Sequence, residues 1–215
     1  MPAYNPGVFR ASSDFDVRNR IIFSGGWDLP FDKAWASGPK RLVKGWSLYP
    51  ILSWRTGFPL SINSGLSGSA NSDPGPSGAG DGYLANADFA PGFSKITILN
   101  PKTNGNFYFN PATFQAIQDA YNPSDPYGTT TRDFFRGPSR TNLDMALAKT
   151  TAITEHVNVE FRLEAFNVLN HTELANPDVN IADLNFGLIT STTLGSGPNA
   201  LQTQRILQLG GRLTF

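Results

Sequence analysis

Glu160, Arg162 and Glu164 alternate with apolar residues and form the clearest group of chemically active side chains in the chain. Neighbouring residues on one face of a strand lie about 6.6–7 Å apart. That spacing is within the range of glycosidase carboxylates, so one hypothesis is a β-rich glycoside hydrolase that uses Glu160 and Glu164. The other is a ladder of alternating charge on a water-facing wall. We favour the ladder, in which no residue is catalytic. Its candidate cross-strand partners are Arg18, Arg20 and Arg212.

The remaining polar residues do not have the spacing of a metal or cofactor site. His156 and His171 lie at opposite ends of one predicted strand, and no cysteine or carboxylate pattern typical of zinc accompanies them. Asp73, Asp81 and Asp88 flank glycine-rich sequence, but their spacing does not match a calcium-binding EF-hand loop, which favours solvated turns. We expect no metal and no cofactor. The formal net charge of +0 gives no indication of a nucleic-acid partner.

The composition is unusual for a soluble domain. Charged residues make up 16% of the 215 residues, against about 25% in typical soluble domains. The chain contains 21 Gly and 16 Pro, which predicts many turns, and no Cys, which excludes disulfides and thiolate chemistry. It contains no apolar run of about 18 residues that would predict a transmembrane helix.

Alternation of apolar and polar residues predicts five strands. They cover about 15–29, 44–63, 141–151, 156–169 and 204–215. The second contains Pro50, whose missing donor the ladder must tolerate, for example at a bulge. A short helix is predicted at 111–121. Long loops at about 64–140 and 170–203 contrast with a tight turn near 154–156, and this asymmetry is typical of a membrane-spanning barrel.

The last strand predicts one lipid-facing side and one water-facing side. Leu207, Leu209, Leu213 and Phe215 share the apolar face. Gln208, Arg212 and Thr214 share the other, which we predict to face the barrel lumen together with Glu160, Arg162 and Glu164. Aromatic residues near strand ends predict interfacial girdles, with core packing as the alternative; they are Trp27, Trp35, Trp46, Tyr49, Trp54 and Phe58. Loop aromatics either stack on ligands or pin the loops, and these are Tyr83, Phe107, Tyr108, Phe109 and Tyr121.

Several ordered motifs carry a family resemblance. They are Phe161-Arg-Leu-Glu-Ala-Phe-Asn-Val-Leu-Asn-His171 with Asn176-Pro, Phe186-Gly-Leu-Ile-Thr190 and Gln204-Arg-Ile-Leu-Gln208; the segment from Trp46 to Pro59; Phe107-Tyr-Phe-Asn-Pro-Ala-Thr-Phe114; and Arg136-Gly-Pro138 with Asn142-Leu-Asp144 and Lys149. Together they resemble the C-terminal end of TonB-dependent outer-membrane receptors, and most closely the Oar-like receptors of acidobacteria.

The resemblance implies an all-β fold, an antiparallel transmembrane β-barrel segment. Residues 1–215 would then be a C-terminal fragment that contributes five or six long strands and long extracellular loops to a 22-stranded barrel in the cell outer membrane. The implied function is uptake of an unidentified nutrient. The implied partners are the plug and other strands of the same receptor, the inner-membrane TonB complex, outer-membrane lipid and the β-barrel assembly machinery, which would read Leu209, Leu213 and Phe215 as a signal. The alternative is a soluble β-sandwich carbohydrate-binding module.

Overall fold

The computed structural model describes residues 10–64, 86–115, 128–193 and 204–215, which form two compact units. The sheet unit comprises the described parts of Asn19–Arg55, Ser139–Glu173 and Thr192–Phe215. The loop unit comprises the described parts of Met1–Arg18, Thr56–Pro138 and Leu174–Ser191.

The described residues contain ten strands and two short α-helices. In chain order they are β1 (Arg20–Ser24), β2 (Trp27–Leu29), α1 (Phe31–Ala34), α2 (Lys40–Val43), β3 (Trp46–Arg55), β4 (Pro59–Leu60), β5 (Asp88–Phe89), β6 (Phe114–Gln115), β7 (Phe135–Arg136), β8 (Arg140–Ala152), β9 (Asn158–Phe166) and β10 (Ile206–Thr214). Neither helix is long and apolar enough to cross a membrane.

The sheet unit is one antiparallel sheet in the order β1–β3–β8–β9–β10, with β2 also paired to β3. This confirms the predicted all-β, antiparallel fold. Within the described part of the chain the sheet is open, with β1 and β10 at its edges. A tight turn joins β8 to β9, where the Ile153 amide donates to the Val157 carbonyl. Most of the chain between β3 and β8 belongs to the loop unit.

The predicted first strand starts later than expected and is interrupted. Ser24 pairs with Ile51 and Trp27 with Leu48, so the register continues through Gly25 and Gly26 without a bulge. The Gly25 amide donates to the Pro50 carbonyl, but Pro50 has no amide hydrogen to return the bond. The missing donor therefore breaks the ladder between β1 and β2, and the predicted bulge is wrong.

The predicted second and fourth strands are also shorter in the structure. The second ends at Arg55, two residues before Gly57, where a side chain would collide with the backbone of Gly137. The fourth ends at Phe166 because Asn167 adopts a φ of 50°, a left-handed conformation that ends a strand and that asparagine tolerates better than most residues.

The strand register merges the predicted faces into two continuous surfaces, since residues directly opposite each other in a sheet share a face. The apolar face carries Ile21, Phe23, Leu48, Leu52, Leu143, Met145, Leu147, Val159, Phe161, Leu163, Leu207, Leu209 and Leu213. Many of these side chains are open to the surroundings; Phe23 is 60% exposed, Phe161 59% and Leu209 76%. The sheet therefore presents a large uncovered apolar surface.

The loop unit has its own core, built from phenylalanines. Phe109 is fully buried, and its ring lies 5.5 Å from Phe114, 5.6 Å from Phe135 and 5.3 Å from Phe186, between centroids. Two short strand pairs, β4–β7 and β5–β6, frame this core. The helix predicted at 111–121 is wrong over its first residues. Pro111–Thr113 form a single 3-10 turn and Phe114–Gln115 belong to β6, while 116–121 lie outside the described residues.

Candidate functional site

The predicted lumen residues all lie on the second, polar face of the sheet. Gln208 is opposite Glu164, and Arg212 is opposite Glu160. Arg162 donates from Nε to Oε1 of Glu164 at 2.7 Å, so the charge ladder pairs along its own strand. Apolar side chains such as Ile22 and Ile51 also lie on this face.

The structure corrects two details of the charge ladder. Arg20 cannot pair with the β9 carboxylates, because β3 and β8 lie between β1 and β9. Glu160 and Glu164 lie two same-face steps apart, which is about 13 Å along the strand. That exceeds the separation of about 5–9.5 Å used by glycosidase carboxylate pairs, and Arg162 lies between them.

Tyr49 belongs to the polar face and not to the apolar girdle predicted for it. The Arg162 guanidinium lies 5.6 Å from the centre of its ring. Small residues make room for this pair: Ala146, opposite Tyr49, is 7% exposed, and a side chain on Gly26 would collide with the ring. The pair is a cation–π contact on the polar side of the sheet.

Trp46 and Trp54, two of the residues predicted for a girdle, lie near the two ends of the apolar face, and Trp46 also packs against the Phe31 ring at 6.2 Å between centroids. Their role at a membrane interface stays a prediction. Trp46 and Trp54 are the first and ninth residues of β3 and point to the same side. They are separated by about 26 Å along the strand. The Lys149 ammonium lies 5.8 Å from the Trp46 ring and donates to the Thr151 hydroxyl at 2.9 Å. A cation beside tryptophan at one edge of an apolar band is typical of a membrane interface.

The residues of the predicted assembly signal are exposed, and two of them, Leu209 and Leu213, lie on the apolar face. Leu209, Leu213 and Phe215 are 76%, 59% and 92% exposed. Leu209 pairs with Leu163 and Leu213 with Val159. Their recognition by an assembly machinery stays a prediction.

The polar face ends in a cleft of about 680 Å³ on the side of the sheet where the long loops start. Arg20, Arg55 and Arg140 line it as one row, because Arg20 pairs with Arg55 and Arg55 with Arg140. Asp144 and Glu173 also line it. The row was not predicted from the sequence. The available signal was that Arg55 and Arg140 both flank the first long loop.

Backbone groups hold the two carboxylates of the cleft in place. Asp144 accepts from the Asn167 amide at 2.8 Å, and Glu173 accepts from the Thr141 amide at 2.8 Å. His171 Nδ1 lies 3.3 Å from Glu173 Oε1, so His171 is a cleft-side residue following β9. Among residues 10–64, 86–115, 128–193 and 204–215, no three side chains group as metal ligands. Asp73 and Asp81 lie outside those ranges, and Asp88 accepts from the Thr129 amide.

Two motif residues of the loop unit, Arg136 and Tyr108, make structural contacts inside that unit. Arg136 forms an ion pair with Asp16 and donates to the Gly57 carbonyl at 3.0 Å. Tyr108 donates to the Arg136 carbonyl at 3.0 Å, and burial raises the pKa of Tyr108 to about 12. Tyr108 and Phe109 are buried, so these loop aromatics pin the loops. Tyr83 and Tyr121 lie outside the described residues.

A family model for an outer membrane beta barrel domain matches residues 1–208. No curated protein and no solved structure matches the chain. The matched range includes the whole cleft and every strand of the sheet except β10 beyond Gln208.

Proposed function

Because the chain belongs to the outer membrane beta barrel domain family, we propose that it is part of a TonB-dependent receptor that takes up a nutrient. The same family membership makes it an outer-membrane protein of a Gram-negative-type cell. In this proposal the sheet unit forms part of the barrel wall. The loop unit forms part of the extracellular, ligand-capturing surface. The order and spacing of the motifs from Trp46 to Phe215 support the receptor class.

The observation that carries the proposal is the difference between the two faces of the sheet. A soluble β-sandwich would cover its apolar face with a second sheet, whereas Phe161 is 59% and Leu209 76% exposed here. Monomeric soluble proteins rarely expose large apolar patches, and lipid would cover this one. Water in the lumen would then solvate Glu160, Arg162 and Arg212 on the other face.

The proposed partners follow from the open sheet. The sheet unit contains six of the described strands, and β1 and β2 follow each other beside β3 in one register. This is fewer than the roughly eight strands needed for the smallest barrels. We propose that further strands of the same receptor pair with β1 and β10, and that a plug fills the resulting barrel. The TonB complex of the inner membrane would act through that plug, and the β-barrel assembly machinery would insert the wall through Leu209, Leu213 and Phe215.

Sided cysteine labelling tests the wall and its orientation, since the chain has no Cys of its own. Lys102→Cys lies in the loop unit and Glu155→Cys in the β8–β9 turn, and both positions are exposed. A membrane-impermeant maleimide added to intact cells is expected to label position 102 at once. It should label position 155 only after the outer membrane is permeabilised. Equal labelling of both in intact cells would contradict the proposed orientation.

Energy dependence tests the receptor function itself. Uptake of radiolabelled ferric citrate, cobalamin and maltodextrin would be compared between the parent strain, a strain that lacks this gene and a strain that lacks the TonB complex. The proposal expects loss of the same uptake in both mutant strains. A gene-dependent uptake that persists without the TonB complex would identify a passive channel instead.

A further inference from the structure

We propose that the cleft at the loop end of the polar face binds a dissolved oxyanion, a solute that carries a carboxylate or phosphate group. The guanidinium groups of Arg20, Arg55 and Arg140, the arginine row, would bind this anion. The inference rests on the proposed uptake function and names the class of solute that it would admit.

The arginine row brings three positive charges side by side across three strands. Arg20, Arg55 and Arg140 stand directly opposite one another on β1, β3 and β8, where paired Cα atoms are about 4.5–5.5 Å apart. Both Arg20 and Arg140 interact electrostatically with Arg55. Like charges directly opposite each other destabilise a sheet. A row of three therefore needs negative charge beside it.

The cleft also contains negative charge, but less than the arginine row carries. Asp144 and Glu173 supply two carboxylates, and Glu173 interacts electrostatically with Arg55. Both are also held by backbone amides, from Asn167 and Thr141 respectively. Three guanidinium groups against two carboxylates leave one positive charge at the wall of an open cleft. A solute anion would supply the missing charge.

The donor groups and the volume of the cleft both suit a small oxyanion. A guanidinium group presents a planar fork of donors that fits carboxylate and phosphate oxygens, and bonds to an ionised acceptor are stronger than neutral ones. Asn142 and Gln208 line the same cleft and add amide groups for the rest of a solute. The volume of about 680 Å³ is within the usual range of small-molecule sites, about 300–1,000 Å³.

Anion protection from arginine modification tests the site in the unaltered protein. Outer-membrane fragments that contain the protein would be treated with phenylglyoxal, and modification of each arginine would be followed by mass spectrometry. Citrate or inorganic phosphate is expected to slow modification of the arginine row at least fivefold. Arg41 in α2 and Arg212 at the far end of the polar face, both exposed, are internal controls that should not change. A neutral solute, mannitol, should protect none. Equal protection of the row and the controls, or protection of neither, would overturn the inference.

Matched variants give a second, independent measurement. Arg140→Gln relieves repulsion within the row, so we expect the protein to fold, and we expect its Kd for radiolabelled citrate to rise at least tenfold. Arg212→Gln removes an arginine from the same face but from outside the cleft and should leave the Kd unchanged. An unchanged Kd in Arg140→Gln would overturn the inference. If the Kd is unchanged but uptake still depends on TonB, the anion site is wrong and the proposed receptor function stands. If the protein binds citrate through the arginine row but uptake does not depend on TonB, the anion site stands and the proposed receptor function is wrong.

Discussion

Replacement of Leu209 by arginine distinguishes a lipid-facing sheet from a water-facing one. Leu209 is 76% exposed and stands next to Gly210, the central residue of β10. In water, a substitution at so exposed a position changes stability by about 0.5 kcal/mol or less. Arginine on the lipid face of a barrel costs about 2–4 kcal/mol near the bilayer midplane. The expected loss therefore reduces the ratio of folded to unfolded protein by a factor of roughly 30 to 700.

Gln208→Arg is the matched control for that substitution. Gln208 is the preceding residue, points to the polar face and lies opposite Glu164. Glu164 already pairs with Arg162, but Gln208 is exposed to solvent, so a substitution there is expected to change stability by about 0.5 kcal/mol or less. Both variants change one residue of the same strand to the same side chain, so differences in strand propensity largely cancel.

Urea unfolding in phospholipid vesicles, followed by tryptophan fluorescence, measures both variants without the assembly machinery. Leu209→Arg is expected to lower the free energy of unfolding by at least about 1.5 kcal/mol more than Gln208→Arg. Equal effects of the two substitutions would refute the assignment of the apolar face to lipid.

Three further predictions concern the loop unit and the last residue. Phe109→Ala is expected to cost about 3–5 kcal/mol and to expose the loop unit to limited proteolysis; Phe93→Ala, at a side chain that is 46% exposed, should have little effect. Because the pKa of Tyr108 is raised to about 12, the folded loop unit keeps a proton that the unfolded chain loses near pH 10. Its stability should be complete below pH 10 and fall by roughly 2–3 kcal/mol towards pH 12, as measured by protease resistance, and Tyr108→Phe should abolish this pH-dependent loss. Deletion of Phe215 is expected to reduce the amount of the protein in the outer membrane, and an unchanged amount would contradict its predicted role as an assembly signal.

The faces of the sheet could be predicted from the sequence because they depend only on local alternation. Leu143, Met145 and Leu147 oppose Asp144 and Ala146 whatever strands lie beside them, since successive side chains of a strand point to opposite sides. The same rule placed Leu209 and Gln208 on different faces. The strand ends were less predictable. Alternation reveals neither the close approach of Gly57 to Gly137 after β3 nor the left-handed backbone of Asn167 after β9.

The arginine row and the loop unit could not be predicted, for a different reason. Arg55 and Arg140 are neighbours only because β3 pairs with β8, although residues 56–139 separate the two strands in the sequence. That register is set by how the faces of distant strands pack, which one strand alone does not reveal. Phe109 and Phe186 meet in the core of the loop unit without any periodic spacing in the chain. The girdle role of Tyr49 was inferred from residue type and from its place near a strand end, which do not reveal that it lies on the polar face.

If the two tryptophans of β3 lie at the two membrane interfaces, as predicted, their spacing sets the thickness of the bilayer that the sheet spans. Their separation of about 26 Å along the strand shortens to roughly 20 Å along the membrane normal at a strand tilt of about 40°. A hydrophobic band of that height suits a thin bilayer, and the bacterial outer membrane is thinner than average. In a thicker bilayer, Trp46 and Trp54 could not both reach an interface unless the lipid deformed around them. The spacing of two residues on one strand thus favours one membrane of the cell over the others.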